Sequence, residues 1–310
     1  MTNASDMSRP VIGRRAVLAM GASGAALAAA FADAVPALAQ AGRAPAPAAA
    51  PAGRVVVERL DGGVLTIGID RAEAQNRFDP AIIIGLGKAY HQLDHDEALR
   101  VGVLYGKGAD FSLGLDVPAY VAGLASGQLP VKDPDFVHPF GLVEPYRAKP
   151  LVVAVQGGTK LGGHELFLAA DLRVAASDAV FSQAEVSRGA FPGGGATVRF
   201  VRDAGWANAM RYMLTGDEWG AEEARRMGLV QEIVAPGQQL ERAVALAKKI
   251  AAGAPLGVRA TRASAHQALS SEDAALAAIL PEFRRILQSE DAKEARRARE
   301  EGRVPVFRGL

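Results

Sequence analysis

Glu165 and Glu185 are the residues of this chain whose type and setting best suit acid–base chemistry. Both fall in the run 151–195, each beside a glycine-bearing turn. A carboxyl group becomes useful for proton transfer when its surroundings move its pKa, and a second carboxyl nearby can take the complementary role. The run reads as a buried strand, a tight turn and a helix whose first turn carries Glu165. A second strand then leads to a loop with Glu185 and the turn Pro192-Gly193-Gly194-Gly195. The intervening strand and turn are long enough to bring both carboxyls to one pocket. Taken alone, a glutamate in a helix's first turn is ordinary, because the free amides there favour negative charge. A loop glutamate is ordinarily solvated.

The elements that must position them follow from residue patterning. Residues 54–60 and 64–69 are β-branched runs separated by Asp61-Gly62-Gly63, which is a hairpin signal. Asp79-Pro80 opens a helical pattern reaching about His95, with Asp as the cap and Pro in the first turn. Residues 101–106 and 151–155 are two further apolar strands. Strands alternating with helices over this length indicate a layered α/β core. From Gly205 onward the pattern is almost wholly helical, with helices expected near 206–214, 220–227, 238–252, 257–269 and 273–300.

The motifs, in this order and spacing, resemble the enoyl-CoA hydratase/isomerase (crotonase) superfamily over roughly residues 54–310. The likeness rests on Lys149-Pro150, Gly162-Gly163-His164-Glu165-Leu166, the run from Ala170 to Ala175, Phe181, Glu185, Gly189, the run from Pro192 to Thr197, and Arg199. Farther on, Met213-Leu214-Thr215-Gly216, Ala221-Glu222-Glu223-Ala224 and Gly228-Leu229-Val230 match it as well. The resemblance implies a spiral of ββα units over 54–204 and a helical region over 205–310 that packs subunits into trimers or hexamers. It places two catalytic glutamates at Glu165 and Glu185, and an oxyanion hole at the backbone amides of Leu115 and Gly162. Possessing both glutamates associates the chain with hydration of an α,β-unsaturated acyl thioester. No separate cofactor is implied; coenzyme A enters as part of the substrate. His138, His164 and Phe191 are the candidate pocket residues.

Some positions depart from the family pattern. Leu161 stands where a glycine usually opens the oxyanion turn, Ala184 replaces the usual proline before the second glutamate, and Arg188 replaces an apolar residue. Gly302 replaces a lysine near the C-terminus, and Ala72 a proline near the start. These leave room for a coenzyme-A-independent β-diketone hydrolase, for an enoyl isomerase, or, in another class, for a non-catalytic binding or scaffold subunit.

The chain has 310 residues, 35 basic and 34 acidic. Residues 1–39 hold three of the basic and two of the acidic ones, leaving 32 of each. A neutral balance offers no field for nucleic acid or an anionic membrane. The absence of cysteine excludes disulfides, thiolate metal sites and a cysteine nucleophile. Arg14-Arg15 precede an Ala/Gly-rich apolar stretch, and Ala37-Leu38-Ala39 offers a small-x-small cleavage site. Residues 1–39 therefore read as a twin-arginine-type signal peptide, and residues 40–53 as an Ala/Pro linker. The mature protein is then expected in the periplasm or outside the cell without a membrane span, and in the cytoplasm if the signal is not used. His91 and His95 share one helix face, but lack a third ligand and read as an exposed helix end. No metal site is expected.

Overall fold

The computed structural model describes residues 51–125 and 133–310. The proposed signal peptide and residues 40–50 of the linker lie outside the described residues. Alternation of apolar side chains along the central strands decides the layering, because successive side chains of a strand point to opposite faces. Strands β1 (Arg54–Leu60), β2 (Val64–Asp70), β3 (Val101–Gly106), β4 (Leu151–Val155), β6 (Leu172–Ala176) and β9 (Glu232–Val234) form one sheet in that order. The β1–β2 hairpin is antiparallel, and each later pairing is parallel.

On one face Leu65, Ile67, Ile69, Leu104, Val153 and Val155 join the larger core. There they meet Ile82, Leu86 and Leu93 of helix α1 (Pro80–His95). On the other face Val64, Val101, Val103, Val152, Ala154 and Val174 pack against Ala243, Ala247 and Ala251 of helix α7 (Gln239–Ala251). Those three alanines are spaced by four, so they share one side of the helix. Their small size lets α7 lie close to the sheet.

Two chain segments leave the large sheet to build a small one. After β4 the backbone turns at Gln156-Gly157 into β5 (Gly158–Lys160), and after β6 it turns into β7 (Val180–Ser182). β5 and β7 run parallel, and β8 (Glu218–Gly220) closes the small sheet antiparallel to β7. These strand-to-strand bends carry the ββα repeat expected of a crotonase-like fold.

The remaining helices are α2 (Val117–Ala125), α3 (Gly162–Leu168), α4 (Ala196–Ala204), α5 (Trp206–Thr215), α6 (Ala221–Arg226), α8 (Pro255–Ala268), α9 (Glu272–Gln288) and α10 (Glu290–Glu300). The N-terminus of α1 is built as its sequence indicates. Asp79 accepts from the Ile82 amide at 2.9 Å, and Pro80 occupies the first turn.

Within the C-terminal third β8 and β9 accompany the helices, and β9 extends the large sheet. One expectation needs correction: the single helix expected over 273–300 is two helices. Ser289 adopts an extended conformation between them and caps α10 by accepting from the Ala292 amide at 3.1 Å. Among the described residues no helix is long and apolar enough to cross a membrane.

Candidate active site

The site assembles where the two sheets meet. Segment 111–116 is tied alongside β5: the Ser112 amide donates to Gly158 O at 3.0 Å, and the Lys160 amide donates to Ser112 O at 3.0 Å. Ser112 Oγ donates to Asn76 O at 2.7 Å and itself accepts from the Gly114 amide at 3.1 Å. Asn76 in turn donates to Lys107 O and Asp110 O, both at 2.8 Å. This web presses Gly114, at φ 89°, against the start of α3. A Cβ on Gly114 would lie 2.9 Å from the Gly162 amide nitrogen, so only glycine fits. A Cβ on Gly162 would sit 3.7 Å from the Leu115 amide nitrogen, an ordinary contact. The two amides are therefore neighbours, and Gly162 needs no glycine for the protein's own packing. Leu161, just before α3, is held at φ 55° and ψ −128°. That conformation suits glycine and stores strain in a leucine.

Glu165 lies in the first turn of α3 and is 4% exposed. Its Oε1 accepts from the Gly194 amide at 2.7 Å and the Ala196 amide at 3.1 Å. The turn must carry glycine there: a Cβ on Gly194 would come within 2.6 Å of Glu165 Oε2. Burial raises the Glu165 pKa from 4.5 to about 7. The charge of Glu185 adds to the rise, while the two amides and Arg199 oppose it. Arg199 holds the wall beside it, donating to Gly194 O at 3.1 Å and to Phe140 O at 2.6 Å.

Glu185 follows β7 and begins a single 3-10 turn over residues 186–188. Gln183 Nε2 donates to its Oε1 at 2.8 Å, while its Oε2 is buried with no hydrogen-bond partner in the protein. Burial raises this carboxyl's pKa too, against the Gln183 hydrogen bond and the Arg188 charge. Each glutamate is thus anchored through one oxygen. The Glu185 charge also disfavours ionisation of Glu165, so one carboxyl can hold a proton while the other is ionised, and a pair in that state can accept one proton and release another.

The pocket candidates are distributed differently. His138 lies near the site, between Phe136 and Phe140, and the positive charge of Arg199 reaches it. Its pKa falls to about 4, chiefly by burial, so the ring is neutral at pH 7. Phe191 is 71% exposed on the loop between Glu185 and Gly194. His164 does not line an open pocket. It is wholly buried behind Glu165 in an aromatic cluster. His91 and His95 stack on each other at 3.8 Å, and His91 pairs with Asp135. Gln183 and the roles of the Gly194 and Ala196 amides escaped the sequence reading. Gln183 and Glu185 both lie beyond the end of β7, so strand periodicity gives no signal for their contact.

Residues 59–309 match the Enoyl-CoA hydratase/isomerase family. The chain is 33% identical over 260 residues to enoyl-CoA hydratase EchA19 of Mycobacterium tuberculosis, covering 81% of this chain and 95% of that protein. It is 34% identical over 268 residues to (E)-benzylidenesuccinyl-CoA hydratase of Thauera aromatica, covering 82% and 99%. The crystal structure of a probable enoyl-CoA hydratase/isomerase from Mycobacterium abscessus superposes with a TM-score of 0.79 at 41% identity, covering 83% of this chain and 98% of that one.

Proposed function

The chain belongs to the enoyl-CoA hydratase/isomerase family, and from that premise we propose that it is a hydro-lyase adding water across the double bond of an α,β-unsaturated acyl-CoA. The observation that carries this reading is a buried and a partly buried carboxyl, each anchored through one oxygen and close enough for the Glu185 charge to act on Glu165, with both pKa values raised. The neighbouring amides of Leu115 and Gly162 receive the thioester oxygen as negative charge builds on it. Glu165, whose two backbone donors favour its ionised form, takes a proton from water as the water oxygen bonds to the β-carbon. Glu185, protonated, gives its proton to the α-carbon. The pair gains one proton and loses one, and its net charge is unchanged.

Coenzyme A is part of the substrate in this reading, and no further cofactor is required. The test is the purified protein incubated with crotonyl-CoA and, separately, with a cyclic β-diketone. The expected result is conversion of crotonyl-CoA to the 3-hydroxyacyl thioester. Cleavage of the diketone with every thioester left intact would overturn it. Migration of the double bond without hydration would assign an isomerase.

Residues 1–39 serve, in this reading, as a cleavable twin-arginine signal that sends the enzyme to the periplasm. The support is Arg14-Arg15, the site at Ala37-Leu38-Ala39, and a family match that begins only at residue 59. Replacing both arginines by lysine should abolish periplasmic recovery; unchanged recovery would contradict this route.

A further inference from the structure

His164 is enclosed by Phe167, Phe181, Phe200 and Trp219, with ring centroids between 5.1 and 6.1 Å away. Its Nε2 has no hydrogen-bond partner in the protein. Its Nδ1 lies 2.5 Å from Gln183 Oε1, and Gln183 Nε2 donates to Glu185 Oε1 at 2.8 Å. The two ends of the Gln183 amide are not equivalent: Glu185 Oε1 only accepts, whether the carboxyl is ionised or carries its proton on Oε2, so it requires the NH2 end. The amide oxygen then faces His164 and needs a donor. Burial holds the ring pKa down to about 3, so the ring is neutral and carries one N–H. That hydrogen belongs on Nδ1, because a buried amide oxygen facing a bare imidazole lone pair would be left unpaired. The chain of donors runs in one direction, from His164 through Gln183 to Glu185.

We propose that His164 is a positioning residue: it fixes the direction of the Gln183 amide, which holds Glu185 by Oε1 and leaves Oε2 as the oxygen that exchanges the proton. The inference rests on reading Glu185 as a catalytic carboxyl. The other charged groups acting on the chain are Glu165 and Arg188 at the Glu185 end and Arg173 at the His164 end. All are unchanged in the variants below.

The test compares His164→Leu, which removes the donor, with His164→Asn, whose side-chain NH2 supplies a donor near the Nδ1 position. Without a donor the Gln183 amide is free to turn its oxygen toward Glu185, which disfavours the carboxylate. In the full chain hydrating crotonyl-CoA, His164→Leu should lower kcat about tenfold with little change in KM. It should also move the Glu185 limb of the pH–rate profile upward by about one unit. His164→Asn should recover most of both effects.

The decisive comparison adds His164→Leu to a Gln183→Met background. There it should cost no further kcat, since the link is already cut. A full additional loss in that background, or a wild-type kcat and pH profile for His164→Leu, would overturn the positioning role. If Glu185→Gln itself retained turnover, the catalytic reading beneath it would fall instead.

Discussion

Glu165 combines a carboxylate with a setting that resists its charge, and the two halves have separable consequences. Its folded pKa, about 7, lies above the 4.5 of the free side chain. A raised carboxyl pKa leaves stability intact below about pH 4.5 and removes it progressively as pH rises toward 7, after which the penalty is constant. The displacement corresponds to roughly 3 kcal/mol at most. Glu165→Gln keeps an acceptor oxygen for the Gly194 and Ala196 amides and removes the buried charge. The variant should unfold at higher urea than wild type at pH 8, with the difference shrinking toward pH 4.5. A difference independent of pH would mean that burial does not govern this carboxyl. The same residue illustrates what the sequence made legible. Its place beside a glycine-bearing turn could be read directly. Its Gly194 and Ala196 donors could not, because they come from about thirty residues away and depend on how two turns dock.

At the scale of elements, the turn 192–195 and the start of α3 have to approach more closely than side chains allow. Gly194→Ala would drive a Cβ to within 2.6 Å of Glu165 Oε2. It should lower kcat by at least about a hundredfold while leaving the fold intact by circular dichroism. Near-wild-type turnover would show that the turn can shift without disturbing the carboxyl. Element boundaries were legible where a local device sets them, as at the Asp79-Pro80 cap and the Asp61-Gly62-Gly63 hairpin. They were illegible where pairing sets them: β8 and β9 are three residues each, too short to carry a period, and exist because β7 and β6 present edges to them. The break at Ser289 was a cap hidden in a long helical pattern. Gly302, which stood out as a lost lysine, has a structural reason. At φ 68° it ends α10, with its own amide donating to Arg299 O at 3.3 Å and the Arg303 amide to Ala298 O at 2.9 Å.

For the whole molecule, the outstanding surface feature is the apolar stripe on α9. Leu276, Ile279, Leu280, Phe283 and Leu287 recur at helical spacing and are each 45–62% exposed. A contiguous apolar face of this kind marks an interaction surface, and we propose that other copies of the chain cover it. The protein should therefore sediment as a trimer or a dimer of trimers, and Leu280→Asp with Phe283→Asp should dissociate it. A wild-type monomer at micromolar concentration would contradict the assignment. The stripe could be read from sequence as apolar spacing. Whether it faces outward could not, since α7 carries a comparable pattern and is packed on the sheet.

The most direct test of the two-carboxyl account is the turnover of Glu165→Gln, Glu185→Gln and the double variant on crotonyl-CoA. Each single change should cut kcat by about 10²–10⁴-fold with a much smaller effect on KM, because the carboxyls act chiefly in the transition state. The double variant should lose less than the product of the two, since groups that act as a unit fail together. Near-full hydratase activity in both single variants would contradict the account and leave the glutamates structural.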